Sequence, residues 1–179
     1  NHILYPDHKI AESPIEWQYN LKTIIKSLFY NSHVESYEKY SKVLMKYYDD
    51  YSNISTTGQL YLSQTIKYIP VYHLDQEDLK RLHTYIFNQL NSNHLEIRLT
   101  TLDIIDEIFE ELKSSAHFIK LLEKWILKNI VASPYPAENY LKYKLACKLK
   151  MEMHILKVLE DNYKKDEENI PEIFLKNLK

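Results

Sequence analysis

Between His94 and Leu112 the apolar residues Ile97, Leu99, Leu102, Ile104, Ile105, Ile108, Phe109 and Leu112 recur at helical spacing and cover an arc of about 220° on a helical wheel, against roughly 100° for a surface helix. The pattern predicts one helix with neighbours on most sides, opened by a capping pair of Asn93 and Glu96. Its remaining sector is acidic. Asp103, Glu107 and Glu110 line a ridge there, and the single cation Arg98 projects into the apolar arc.

The same periodicity places further helices along the chain. Residues 1–12 have no strong period and are expected to form an arm. Ser13, Pro14 and Glu16 open a helix to about Tyr30, and Tyr37, Tyr40, Leu44, Tyr47 and Tyr51 mark the inner face of another from about Glu35 to Tyr51. A shorter helix, Thr57 to Ile69, is expected to stop before Pro70, and Asp75 should cap one running to Asn91 through Leu79, Leu82, Ile86, Phe87 and Leu90. Ser115 should cap a helix carrying Phe118, Leu122, Trp125 and Ile126. After the break Ser133-Pro134-Tyr135-Pro136, a long helix is predicted from about Ala137 to Tyr163, and a last one follows Pro171. No segment reads as a strand. Eight helices on short links predict an all-α fold, a single domain over residues 13–179 with antiparallel pairs stacked in a right-handed superhelix, a closed four-helix bundle being the alternative.

Composition narrows the function more than it defines it. The chain has 179 residues, a net charge of -2 and one glycine, Gly58. Phosphate-binding loops, dinucleotide-binding turns and nucleophile elbows rely on glycine, so its scarcity argues against them. The near-neutral charge supplies no overall field for nucleic acid, and a reader of DNA or RNA would need a local basic patch. Lone Cys147 excludes an internal disulfide and a multi-thiolate zinc site and fits a reducing compartment; it is expected to be an inert, half-buried thiol. No apolar run approaches the length of a membrane span and no signal peptide opens the chain, while the initial Asn1 suggests a piece of a longer protein.

Candidate chemistry is sparse. The eight histidines show no HExxH and no i, i+4 pair, and the acidic ridge lacks the Glu-x-x-His partners of a di-iron bundle, so neither a metal nor another cofactor is expected. No nucleophile, base and oxyanion donor can be assembled, and the chain is read as a non-enzyme. Asp103, Glu107 and Glu110 are either a solvated face or a dock for a basic partner. Arg98 is expected to be a structural buried charge, bonded to a carboxylate or to the last carbonyls of the preceding helix. Lys142, Lys144, Lys148 and Lys150 look like a basic patch, but their wheel positions diverge and no aromatic interleaves with them; a solvated face is the simpler reading, phosphoinositide or RNA contact the other.

The runs His94-Leu95-Glu96-Ile97-Arg98-Leu99, Ile105-Asp106-Glu107-Ile108-Phe109 and His117-Phe118, with Gln89-Leu90 upstream and Pro134, Pro136 and Phe174-Leu175-Lys176 downstream, resemble the N-terminal VHS/ENTH-like domain of the UV-stimulated scaffold protein A family over roughly residues 42–179. That resemblance implies a nuclear, non-catalytic adaptor of transcription-coupled nucleotide excision repair. Its implied partners are the complex at stalled RNA polymerase II, a ubiquitin-ligase substrate receptor and ubiquitinated polymerase. Two other expectations are a VHS/ENTH-type trafficking adaptor that binds ubiquitin or phosphoinositides, and a HEAT-type segment of a larger assembly scaffold.

Overall fold

The structure, a computed structural model, describes residues 34–167 except Pro70. Among them it is all-helical: α1 (Val34–Asp49), α2 (Thr56–Thr65), α3 (Gln76–Leu90), α4 (Leu95–Glu107), α5 (Phe109–Leu112), α6 (Ala116–Lys128), α7 (Pro136–Lys148) and α8 (Met153–Glu167), with short 3-10 turns at Tyr51–Asn53, Ile66–Tyr68 and Val71–His73 and no strand among the described residues. The arm and the helices expected near residues 14–30 and after Pro171 lie outside the described residues. The chain divides into two compact units, with the boundary between Glu111 and Leu112.

In unit 1, α1 packs on α3, α2 on α4, and α3 on α4. The local signals behave as their chemistry requires. The Asp75 carboxylate accepts the Asp78 N–H at 2.8 Å and opens α3. Ile69, the residue before Pro70, leaves the helical region with φ -79° and ψ 124°. Between residues 41 and 49 of α1 the buried side chains are Ser41, Met45 and Tyr48, one step round from Leu44 and Tyr47 of the predicted stripe, which are half-buried. The shift has a cause in polar pairing. Ser41 donates to Asp78 of α3 at 3.1 Å, and Tyr48 pairs its hydroxyl with Thr65 at 2.6 Å while its ring stacks on Tyr85 at 4.4 Å. A second core hydroxyl pair joins Ser63 and Tyr85 at 3.0 Å. Burial pushes the Tyr48 and Tyr85 phenols far above the ordinary range, so both stay neutral.

Unit 2 is α6 against α7 and α7 against α8. Ser115 Oγ accepts the Phe118 N–H at the start of α6, as predicted. The long helix predicted from Ala137 to Tyr163 is instead two. Lys150, between α7 and α8, takes φ 55°; the Lys150 N–H reaches the Cys147 carbonyl at 3.0 Å and the Met151 N–H the Ala146 carbonyl at 3.1 Å. Those paired bonds form a Schellman motif, which ends a helix by turning one residue left-handed. Glycine usually fills that position, and here a lysine does. With no glycine in the sequence to announce it, the stop could not be read from periodicity. Gly58, by contrast, sits in the first turn of α2 and takes no positive φ.

Candidate functional site

The helix predicted from His94 to Leu112 is α4 followed by the single turn α5, separated at Ile108, where the backbone leaves the α region (φ -102°, ψ 22°). Ile97, Leu102, Ile104, Ile105, Ile108, Phe109 and Leu112 are all buried, so the wide apolar arc holds across the break, with Leu99 half-buried at its margin. The capping pair is not formed as expected. His94 occupies the N-cap without a side-chain bond, and the Ser92 hydroxyl accepts the His94 N–H at 3.2 Å; Asn93 lies one residue too early, because the first helical bond runs from the Arg98 N–H to the His94 carbonyl.

Arg98 is half-buried rather than enclosed. Its Nη1 donates to the Ser92 carbonyl at 2.8 Å, in the turn just past α3, so the cation serves the α3–α4 link. Asp103, Glu107 and Glu110 are all exposed. They do not form one uniform ridge, because Glu110 belongs to α5 beyond the Ile108 break. Glu107 is also ion-paired with Lys67, whose 3-10 turn packs on α4. Asp106, on the same helix, is buried.

A second constellation, in unit 2, was not anticipated. The link between α6 and α7 is held by side chains that capture its backbone. Lys142 Nζ donates to the Asn129 and Val131 carbonyls at 3.0 and 3.2 Å, Asn162 Nδ2 to Ile130 at 2.8 Å, and Asn139 Nδ2 to Ser133 at 2.8 Å. Asn139 Oδ1 takes the Ser133 N–H back at 2.8 Å, and the Ser133 hydroxyl donates to Glu138 at 2.6 Å. Lys142 is therefore buried at 4 % exposure and leaves the supposed basic patch. Its position among Glu138, Leu141, Leu145 and Ala146, all buried, was the sequence signal for this.

The opposite side of α7 carries Tyr140, Tyr143, Lys144, Cys147 and Lys148 at spacings of three and four. Because the chain reverses at Lys150, Tyr163 of α8 comes back against them, with its ring centroid 5.1 Å from Tyr140 and 6.1 Å from Tyr143, stacked on the latter at 10°. Cys147 is exposed, not half-buried as expected, since it lies on this outward stripe. Its hydrogen bond with Tyr143 is the main cause, ahead of burial, that raises the Tyr143 phenol above its ordinary range. Glu160 pairs with Lys164 at 2.5 Å beside this aromatic group.

Of the histidines with described surroundings, His83 is buried in α3, and His94, His117 and His154 are exposed. Among the described residues no group of three or more His, Cys, Asp or Glu side chains is placed to hold a metal. No helix there is long and apolar enough to cross a membrane. No family model, curated protein or solved structure matches the chain.

Proposed function

We propose that the chain is a non-catalytic protein-docking domain whose partner site is the acidic edge of α4 and α5, centred on Asp103 and Glu110. The observation that supports this is the division of α4: nearly every apolar position is core, and the exposed remainder is carboxylate. Glu107, already paired with Lys67, acts as a support of that edge. The narrower form is the one implied by the resemblance at His94–Leu99. It is a nuclear scaffold of transcription-coupled repair at stalled RNA polymerase II, with antiparallel helix pairs stacked in a right-handed superhelix.

The test is Asp103→Lys combined with Glu110→Lys, which spares the Lys67–Glu107 pair. Stability is expected to change by less than about 0.5 kcal/mol, as for surface substitutions, while capture of polymerase II from ultraviolet-irradiated cells is lost. If capture survives the double reversal, the edge is only a solvated face.

A further inference from the structure

We propose that the outward face of α7 and α8 binds single-stranded nucleic acid, with Tyr143 and Tyr163 offering the stacking surface and Lys144 and Lys148 contacting phosphates. Unit 1 holds ten basic and sixteen acidic residues, net -6, whereas unit 2 holds thirteen basic and nine acidic, net +4. The near-neutral total of -2 therefore averages two fields of opposite sign, and the half that attracts a polyanion is the half that carries the tyrosines.

Geometry supplies the second step. Contrary to the expectation that no aromatic interleaves with the lysines of α7, Tyr140 and Tyr143 share the stripe of Lys144 and Lys148, and the Lys150 reversal brings Tyr163 to them. The three rings are only part-buried, and Lys144 and Lys148 follow Tyr140 at four-residue steps on the same stripe. Sequence-tolerant single-strand binding needs these two parts together, cations that track a backbone and aromatic faces on which unpaired bases stack. A duplex keeps its bases stacked on one another and offers this face phosphates alone. An anionic membrane is recognised through clusters of about four to eight basic residues, and this stripe sets only Lys144 and Lys148 beside the rings, which leaves the single strand as the better fit. Glu160 lies beside Tyr143, so the same surface contains one group that opposes the ligand.

The test uses the full chain and a fluorescein-labelled oligothymidylate of about 15 nucleotides, followed by fluorescence anisotropy. Affinity should fall about tenfold between about 50 and about 200 mM salt, as two or three phosphate contacts require. Lys144→Glu with Lys148→Glu should weaken binding by at least about tenfold, and Tyr143→Leu, which keeps an apolar side chain against α8, by at least about fivefold. Glu160→Gln should tighten it by about threefold, an effect that loss of structure would not produce. Circular dichroism of each variant separates lost binding from lost helix. The proposal is overturned by absence of binding at about 50 µM protein in low salt. It is equally overturned if a duplex binds as tightly and Tyr143→Leu has no effect, or if vesicles rich in phosphatidylserine bind while the oligonucleotide does not.

Discussion

Unit 1 and unit 2 bury polar groups in different ways. In unit 1 three buried pairs join side chain to side chain across helices, Tyr48 with Thr65, Ser63 with Tyr85, and Ser41 with Asp78. In unit 2 the polar side chains Lys142, Asn139 and Asn162 reach the backbone of one connection and fix it. The first arrangement specifies which helices meet, because each of these pairs spans two elements. The second fixes a loop whose carbonyls would otherwise be left unpaired at the end of α6. Their charges also differ in sign. A chain-wide composition describes neither half.

The largest effect expected from breaking this contrast comes from the apolar centre of unit 1. Leu102 is fully buried on α4, and Leu102→Ala should cost about 2–5 kcal/mol through lost transfer energy and a residual cavity. Urea denaturation measures the loss. Hydrogen exchange should locate the lost protection mainly in residues 34–111; an equal loss in both units would show that they unfold as one.

Next in size is the clamp of unit 2. Lys142→Met keeps the aliphatic stem but removes the charged donor to the part-buried Asn129 and Val131 carbonyls, and loss of hydrogen bonds from a charged group costs about 1.5–3 kcal/mol. An unchanged denaturation midpoint would mean that water replaces the ammonium at no penalty. Unit 1 should show no matching change in exchange protection.

The tyrosine pairs give unit 1 a dependence on alkaline pH. Tyr48 and Tyr85 have folded-state pKa values raised above the unfolded value of about 10, so their contribution is complete below that pH. Above it the unfolded chain releases protons that the folded chain retains, and stability should decline by up to about 1.4 kcal/mol per pH unit for each tyrosine. Tyr48→Phe removes one of the two terms and should roughly halve the slope, while costing about 1 kcal/mol at neutral pH for the lost bond to Thr65. An unaltered alkaline slope in Tyr48→Phe would rule out Tyr48 as a source.

The sequence carried some of this structure openly. Asp75 and Ser115 capped where short polar side chains preceded apolar periods, and the arc from Ile97 to Leu112 is core as its spacing required. Those features are local, and period or capping chemistry is enough to specify them. Some local features were misread, the Asn93 cap and the helix ends at Ile108 and Lys150 among them, and the other failures were long-range. The inner face of α1 turns toward Ser41 and Tyr48 because α2 and α3 hold their partners. Lys142 looks like a surface lysine until the α6–α7 loop folds over it. For the candidate surfaces, Asp103 and Glu110 were legible as exposed acid, but the engagement of Glu107 by Lys67, 40 positions earlier, was not. The Tyr140, Tyr143 and Tyr163 group needed the reversal at Lys150 before it existed.

That reversal is also the site of the smallest and most specific prediction. A lysine at φ 55° has its Cβ crowded against the carbonyl oxygen, a strain of about 1 kcal/mol that glycine does not feel. Glycine also has more freedom to lose from the unfolded chain, which offsets part of the gain. Lys150→Gly should therefore stabilise unit 2 by about 0.5–1 kcal/mol and leave the stacking of Tyr163 on Tyr143 intact. Lys150→Ala, which keeps the Cβ, should give none of this gain. If alanine stabilised as much as glycine, the benefit would come from removing a charge rather than from the left-handed turn, and the Schellman stop would not be where α7 carries its strain. If neither variant stabilised, the unfolded-state entropy of glycine would equal the strain. In that case Lys150 would end the helix as well as the residue that ordinarily does so, and unit 2 would keep its aromatic face at no conformational cost.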